Sequence, residues 1–159
     1  MSKRAEFFGM IARQRNAMTQ TTPQAWNMGN PHYVISTRVA GGDFDEVVTQ
    51  VRAHLKENGF GVLTEIDFKK TMKVKMEKDI PRYLILGACN PPLAYEAVSS
   101  EPGVGVLLPC NVLVSEEESG IFVGAIDPVK MFSVVGRDEV EHLANAVKEK
   151  ITKVINAVK

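Results

Sequence analysis

The sequence predicts an α+β fold in two layers, a mainly antiparallel sheet packed against two amphipathic helices. Three observations carry that expectation. Short runs rich in β-branched residues recur along the chain, a medium amphipathic stripe follows the first of them, and a longer stripe closes the chain. The expected order is β-α-β-(α)-β-α-β-β-α, with no internal repeat.

HYVISTRVA, from His32 to Ala40, alternates Tyr33, Ile35, Thr37 and Val39 against Val34, Ser36 and Arg38, which is a strand. Gly41-Gly42 breaks it. Asp43 then stands as a helix cap, with Glu46 placed to complete a capping box worth about 1 kcal/mol. Phe44, Val47, Val48, Val51 and Leu55 follow at helical spacing, and Asn58-Gly59 supplies the stop. FGVLTEIDF is the second strand. Phe68 to Glu77 carries two periods: Phe68, Met72 and Met76 recur every four residues, while Met72, Val74 and Met76 also alternate with charges. A short helix is the expectation there. RYLILGAC is the third strand, and PPLAYEAVSS a short helix after it.

VGVLLPCNVLVSEE and GIFVGAI read as a hairpin around Glu118-Ser119-Gly120. Pro109 lies inside the first of these runs and removes a backbone donor, so it is expected at an edge or a bulge. DPVKMF reads as a turn. From about Arg137, Val140, Leu143, Ala144, Val147, Ile151, Val154, Ile155 and Val158 form one stripe of a long helix. Its acidic start (Asp138, Glu139, Glu141) and basic end (Lys148, Lys150, Lys153) suit the helix dipole.

A chain of 159 residues has room for one core. Formal net charge is zero, which removes the global field that draws in nucleic acid or an anionic membrane. No apolar run approaches the roughly 18 residues of a membrane span. The two cysteines show no CxxC pairing, and no N-x-S/T acceptor occurs, so a reducing intracellular compartment is the default.

The chain divides at about Pro31. Residues 1–31 form a basic arm, in which Lys3, Arg4, Arg13 and Arg15 face only Glu6, and residues 32–159 form a single α+β domain. Basic, acid-poor and bearing Phe7, Phe8 and Ile11 at amphipathic spacing, the arm faintly resembles a mitochondrial targeting segment, so cytoplasm and mitochondrial matrix both stay open. The arm is also the natural interaction element, with Phe7, Phe8, Arg13, Arg15 and Trp26 as its docking residues. Trp26 suits anchoring because its ring buries a large area while its N–H stays free to bond.

The stretch LGACNPPLAYEA raises a chemical question. Asn90 before Pro91 is pushed to the extended angles an N-cap adopts, and asparagine caps well. Pro91 then takes the first helical position, where a missing N–H costs nothing. A backbone role thus explains Asn-Pro-Pro. Cys89 precedes a helix N-terminus, where a partial positive charge lowers a thiol pKa if the sulfur lies along the axis. A small buried hydrophobe is the competing reading. Cys110 repeats the Cys-Asn pairing in LLPCNV, so Cys89, Asn90, Cys110 and Asn111 are the candidate ligand-binding residues.

GACNPPLAYEA, the later LLPCNVLV and the downstream Asp127-Pro128 together resemble a bacterial and archaeal family, domain of unknown function 302. That resemblance covers roughly Tyr33 to the C-terminus. It implies a small α+β fold similar to the TATA-binding-protein-like arrangement, often a homodimer, and it carries no biochemical activity. The arm lies outside the family pattern.

His32, His54 and His142 are scattered and make no metal spacing. Gly103-Val-Gly105 lacks the Lys-Ser/Thr of a phosphate loop. Lys69, Lys70, Lys73, Lys75, Lys78 and Arg82 read as a solvated face diluted by Glu77 and Asp79, without the interleaved aromatics of a nucleic-acid surface. No catalytic constellation, metal or cofactor is called for. The expectation is a non-catalytic binding or assembly module, an accessory subunit or a homodimer, with protein partners reached through the arm. The alternative is a thiol-dependent enzyme or small-ligand or metal carrier built on Cys89 and Cys110.

Overall fold

A computed structural model describes residues 26–159. The elements are β1 (Val34–Val39), α1 (Phe44–Glu57), β2 (Gly61–Asp67), α2 (Phe68–Met76), β3 (Tyr83–Cys89), α3 (Pro91–Ser100), a 3-10 helix (Pro102–Leu107), β4 (Cys110–Glu117), β5 (Gly120–Ile126), α4 (Pro128–Phe132) and α5 (Asp138–Ala157). The five strands make one antiparallel sheet in the order β1-β5-β4-β3-β2. With helices on one face, this is the expected two-layer α+β arrangement.

Side-chain alternation decides the layers. Leu84, Leu86 and Ala88 of β3, Cys110, Val112 and Val114 of β4, and Ile121, Val123 and Ala125 of β5 point to the helical layer. There they meet Val47, Val51 and Leu55 of α1 and Ile151, Val154 and Ile155 of α5. Each fully covered Val, Leu or Ile among them contributes roughly 1.5–3 kcal/mol. A smaller cluster of Ala97, Val104, Phe132, Val140, Leu143 and Ala144 joins α3, the 3-10 helix and α4 to the first half of α5.

Local chemistry sets the boundaries. The Asp43 carboxylate accepts from the backbone N–H of Asp45 and of Glu46, both at 3.0 Å, and so starts α1. Asp67 does the same for α2 by accepting from Lys70 N at 2.8 Å, which settles the ambiguous segment as a helix. The β4–β5 hairpin turns through Glu118-Ser119. Gly120 follows with φ 134°, where a Cβ would also run into the Ala40 backbone at 3.0 Å, so only glycine fits.

Three expectations change. Val104 to Leu107 is a 3-10 helix and not the start of a strand, and β4 begins only at Cys110. Glu101 initiates that helix by accepting from Gly103 N at 3.1 Å. Pro109 therefore sits just before a central strand, joined to Leu108 by a cis bond, and not within an edge strand or bulge. DPVKMF is a short helix rather than a turn, capped by Asp127. Among the described residues, no helix is long and apolar enough to cross a membrane.

Candidate functional site

The Cys-Asn-Pro-Pro stretch folds as its backbone chemistry dictates. Asn90 is extended (φ −98°, ψ 103°) and caps α3 by accepting from Leu93 N at 3.4 Å. Its Nδ2 also donates to the Gly59 carbonyl at 3.0 Å, tying the end of β3 to the loop after α1. One side chain thus holds two junctions.

The β3–β4 register sets Ala88 opposite Cys110. This brings Cys89, Asn90 and Cys110 to one cavity, lined also by Phe60, Leu93, Phe132 and Leu143. Asn111 is not brought there. As the next residue along β4 it faces the other side of the sheet, where it is exposed.

That cavity holds about 20 Å³, space for little more than one water. Among the described residues its lining carries no histidine, lysine, arginine or carboxylate. Burial pushes the Cys89 thiol above its ordinary value. Burial, followed by the neighbouring Cys89, pushes Cys110 up to about 11. Both sulfurs are held as neutral thiols at physiological pH, the state opposite to a nucleophile's. The Cys89 shift is opposite in sign to the lowering expected if the sulfur lay along the axis of α3. His54 is engaged elsewhere, its Nδ1 2.9 Å from Glu57 on α1, and His32 packs against the Tyr33 ring. Among the described residues, no group of three or more His, Cys, Asp or Glu side chains is placed to hold a metal ion.

The basic cluster behaves as a wet face. Lys69 and Lys73 both lie near Asp79, at 3.6 and 3.4 Å. Arg82 pairs with Asp45 and lies over the Phe44 ring at 4.0 Å.

The opposite face of the sheet carries a second feature. Residues 26–31 cross it as a strap. Trp26 meets the Tyr83 ring edge-on at 5.2 Å, and Tyr83 in turn contacts Phe68 at 5.4 Å. Arg38 clasps the strap: Nη2 donates to the Gly29 carbonyl at 2.6 Å and Nη1 to Asn30 Oδ1 at 3.1 Å. Its Nε donates to Glu117 Oε2 at 3.0 Å, while Glu117 Oε1 accepts from Met28 N at 2.6 Å. The guanidinium also lies over Phe122 at 5.1 Å. Of the expected docking residues, Trp26 therefore packs on the chain's own sheet, and Phe7, Phe8, Arg13 and Arg15 lie outside the described residues.

Beside the strap runs a groove of about 540 Å³ floored by Leu113, Phe122 and Gly124 and rimmed by Tyr33, Asn111 and Met131. Sequence reading missed it because VGVLLPCNVLVSEE and GIFVGAI were read only as a hairpin, with no account of what covers the second face of each strand. The signal was present: NVLV and GIFVGAI are apolar at consecutive positions, the mark of strands covered on both faces.

No curated protein matches the chain. A solved structure that does is the crystal structure of the uncharacterized conserved protein DUF302 from Bacillus stearothermophilus. It is 21% identical and superposes with a TM-score of 0.76, over 81% of this chain and 100% of that one. At that identity the likeness speaks for the fold. The family model described as domain of unknown function DUF302 matches residues 35–158, nearly all of the described residues. The ACNPPLA and LPCNV stretches, the five-stranded sheet and this match agree: the chain belongs to the DUF302 family.

Proposed function

We propose that this protein is a non-catalytic binding and assembly module, an accessory subunit of a larger complex or a homodimer, made of a basic arm (1–31) and one α+β domain (32–159). The observation that carries the reading is the exposure of large apolar side chains on the edge strand β2 and the adjoining α2. Leu63 is 66% exposed, Ile66 45%, Val74 68% and Met76 59%. Large apolar side chains left in water at and beside a sheet edge favour a protein partner. Trp26 packs on Tyr83, which contacts Phe68 at the start of α2, and this supports a reading in which arm and edge serve one interface.

The thiol-dependent alternative draws on Cys89 and Cys110 sharing a cavity. Raised thiol pKa values, a lining without a base and room for about one water all weigh against it. An intracellular home, in cytoplasm or mitochondrial matrix, belongs to the same reading and is supported by two free cysteines.

Light scattering after size-exclusion tests the proposal, together with affinity pulldown of the full chain and its Leu63→Glu/Ile66→Glu variant. The full chain is expected as a dimer or with a co-purifying partner, and the variant as a monomer that has lost it. A monomeric full chain whose pulldown matches the variant's contradicts the reading.

A further inference from the structure

The groove on the strapped face of the sheet has the makings of a ligand site distinct from the thiol cavity and from the β2 edge. Its volume of about 540 Å³ falls in the range of small-molecule sites, where the thiol cavity at about 20 Å³ does not. It has walls as well as a floor. Asn27, Met28 and Pro31 of the strap form one wall, and Leu107, Pro109 and Met131 the other.

The floor is shaped by a glycine. At Gly124 a Cβ would meet Phe122 Cε1 at 2.6 Å and Val34 Cγ1 at 2.8 Å, so only the bare backbone lets the Phe122 ring lie across β5. Among the described residues the lining is uncharged. It offers the rings of Tyr33, Tyr83 and Phe122, aliphatic surface from Leu113 and Ile126, and the amide of Asn111. The two charges that hold the strap, Arg38 and Glu117, neutralise each other. An ionic ligand entering such a site loses water without gaining a counter-charge. A neutral, mainly apolar molecule with a hydrogen-bonding end loses little and gains contact on three sides.

We propose that this groove binds a neutral, largely apolar small molecule between strap and sheet, with Asn111 and the tyrosine hydroxyls addressing its polar end. Arg38 and Glu117 are positioning residues: they fix the strap that forms one wall.

The test is a fluorescence titration of the full chain with Nile red, an uncharged dye that brightens in apolar surroundings. Saturable binding of one dye per chain is expected. Asn111→Trp, at an exposed position and so compatible with the fold, fills the groove and is expected to weaken binding by about tenfold or more. Arg38→Ala frees the strap and is expected to weaken it less, with a retained far-UV circular dichroism spectrum as the folding control. Leu63→Glu/Ile66→Glu is expected to bind dye normally, which separates this site from the proposed assembly surface. Non-saturable binding, or binding indifferent to Asn111→Trp, overturns the proposal. So does dye uptake that appears only after removal of residues 1–25, which makes the arm the occupant, or only in the β2-edge variant, which makes a second copy the occupant.

Discussion

Lys148 on α5 places its Nζ 2.7 Å from Oδ2 of Asp127, a carboxylate only 6% exposed as a residue. The other oxygen, Oδ1, accepts from Val129 N at 2.9 Å and caps α4. The Asp127 N–H donates to the Tyr33 carbonyl at 2.8 Å. One aspartate thus joins β5, α4, α5 and the start of β1. Asp127→Ala is expected to lower the unfolding free energy by about 1–3 kcal/mol in urea melts, since it removes the cap and the ion pair together. Asp127→Asn keeps the cap acceptor and is expected to lose less. A loss from Asn equal to that from Ala would assign the effect to charge alone.

Asn90 is expected to matter through its backbone bonds rather than through the thiol beside it. Asn90→Ala removes both the acceptor for Leu93 N and the donor to Gly59 O, and should cost about 1–2 kcal/mol. Asn90→Asp retains the cap and loses only the Gly59 bond, so its melt should fall between the two. An Asp variant no better than Ala would show that the cap contributes nothing.

Gly87 lies on the strapped face of β3, under Thr64 and Pro109. An added Cβ would crowd Thr64 Oγ1 and approach Pro109 Cγ to 2.6 Å. Gly87→Ala is expected to destabilise by about 1–3 kcal/mol through overpacking. Adding Thr64→Ala should restore part of that loss, and a double-mutant cycle in urea measures the coupling. Strict additivity would mean that the two positions do not touch.

The Cys110 thiol gives a signed pH dependence. Its ordinary value is 9.0, and in the folded chain it is pushed up to about 11, chiefly by burial. Above the ordinary value the unfolded chain releases a proton that the folded chain keeps, so unfolding becomes easier. Stability from this group is fully present below about 9 and is lost as pH rises toward about 11. Urea melts across that window should show the decline, and Cys110→Ala should flatten it. A decline that persists unchanged in the variant would place its origin elsewhere.

Most elements were legible because each carries its own period. The stripe Val147, Ile151, Val154 and Ile155 could bury itself only as a helix, and Asp43 and Asn90 announced their caps. Val104 to Leu107 misled because β-branched residues there resemble a strand, while Glu101 capping Gly103 bends them into a 3-10 helix first. The candidate site was half legible. Alternation already sends Asn111 away from Cys110, but the pairing of Ala88 with Cys110 is a contact between distant segments that no local pattern encodes. The strap was invisible for the same reason, whereas the groove's apolar floor was written in the consecutive apolar residues of β4 and β5. The Arg38–Glu117 clasp joins residues far apart in the chain, and neither residue type at its position signals the other.

The direct measurement is the rate at which iodoacetamide alkylates Cys89 in the folded protein at neutral pH, read by mass spectrometry against the urea-unfolded chain. A thiol with its pKa raised by burial, in a cavity without a base, should label more slowly folded than unfolded. Labelling of Cys89 that is faster in the folded protein would reveal an activated thiolate and contradict the reading of this chain as a binding module.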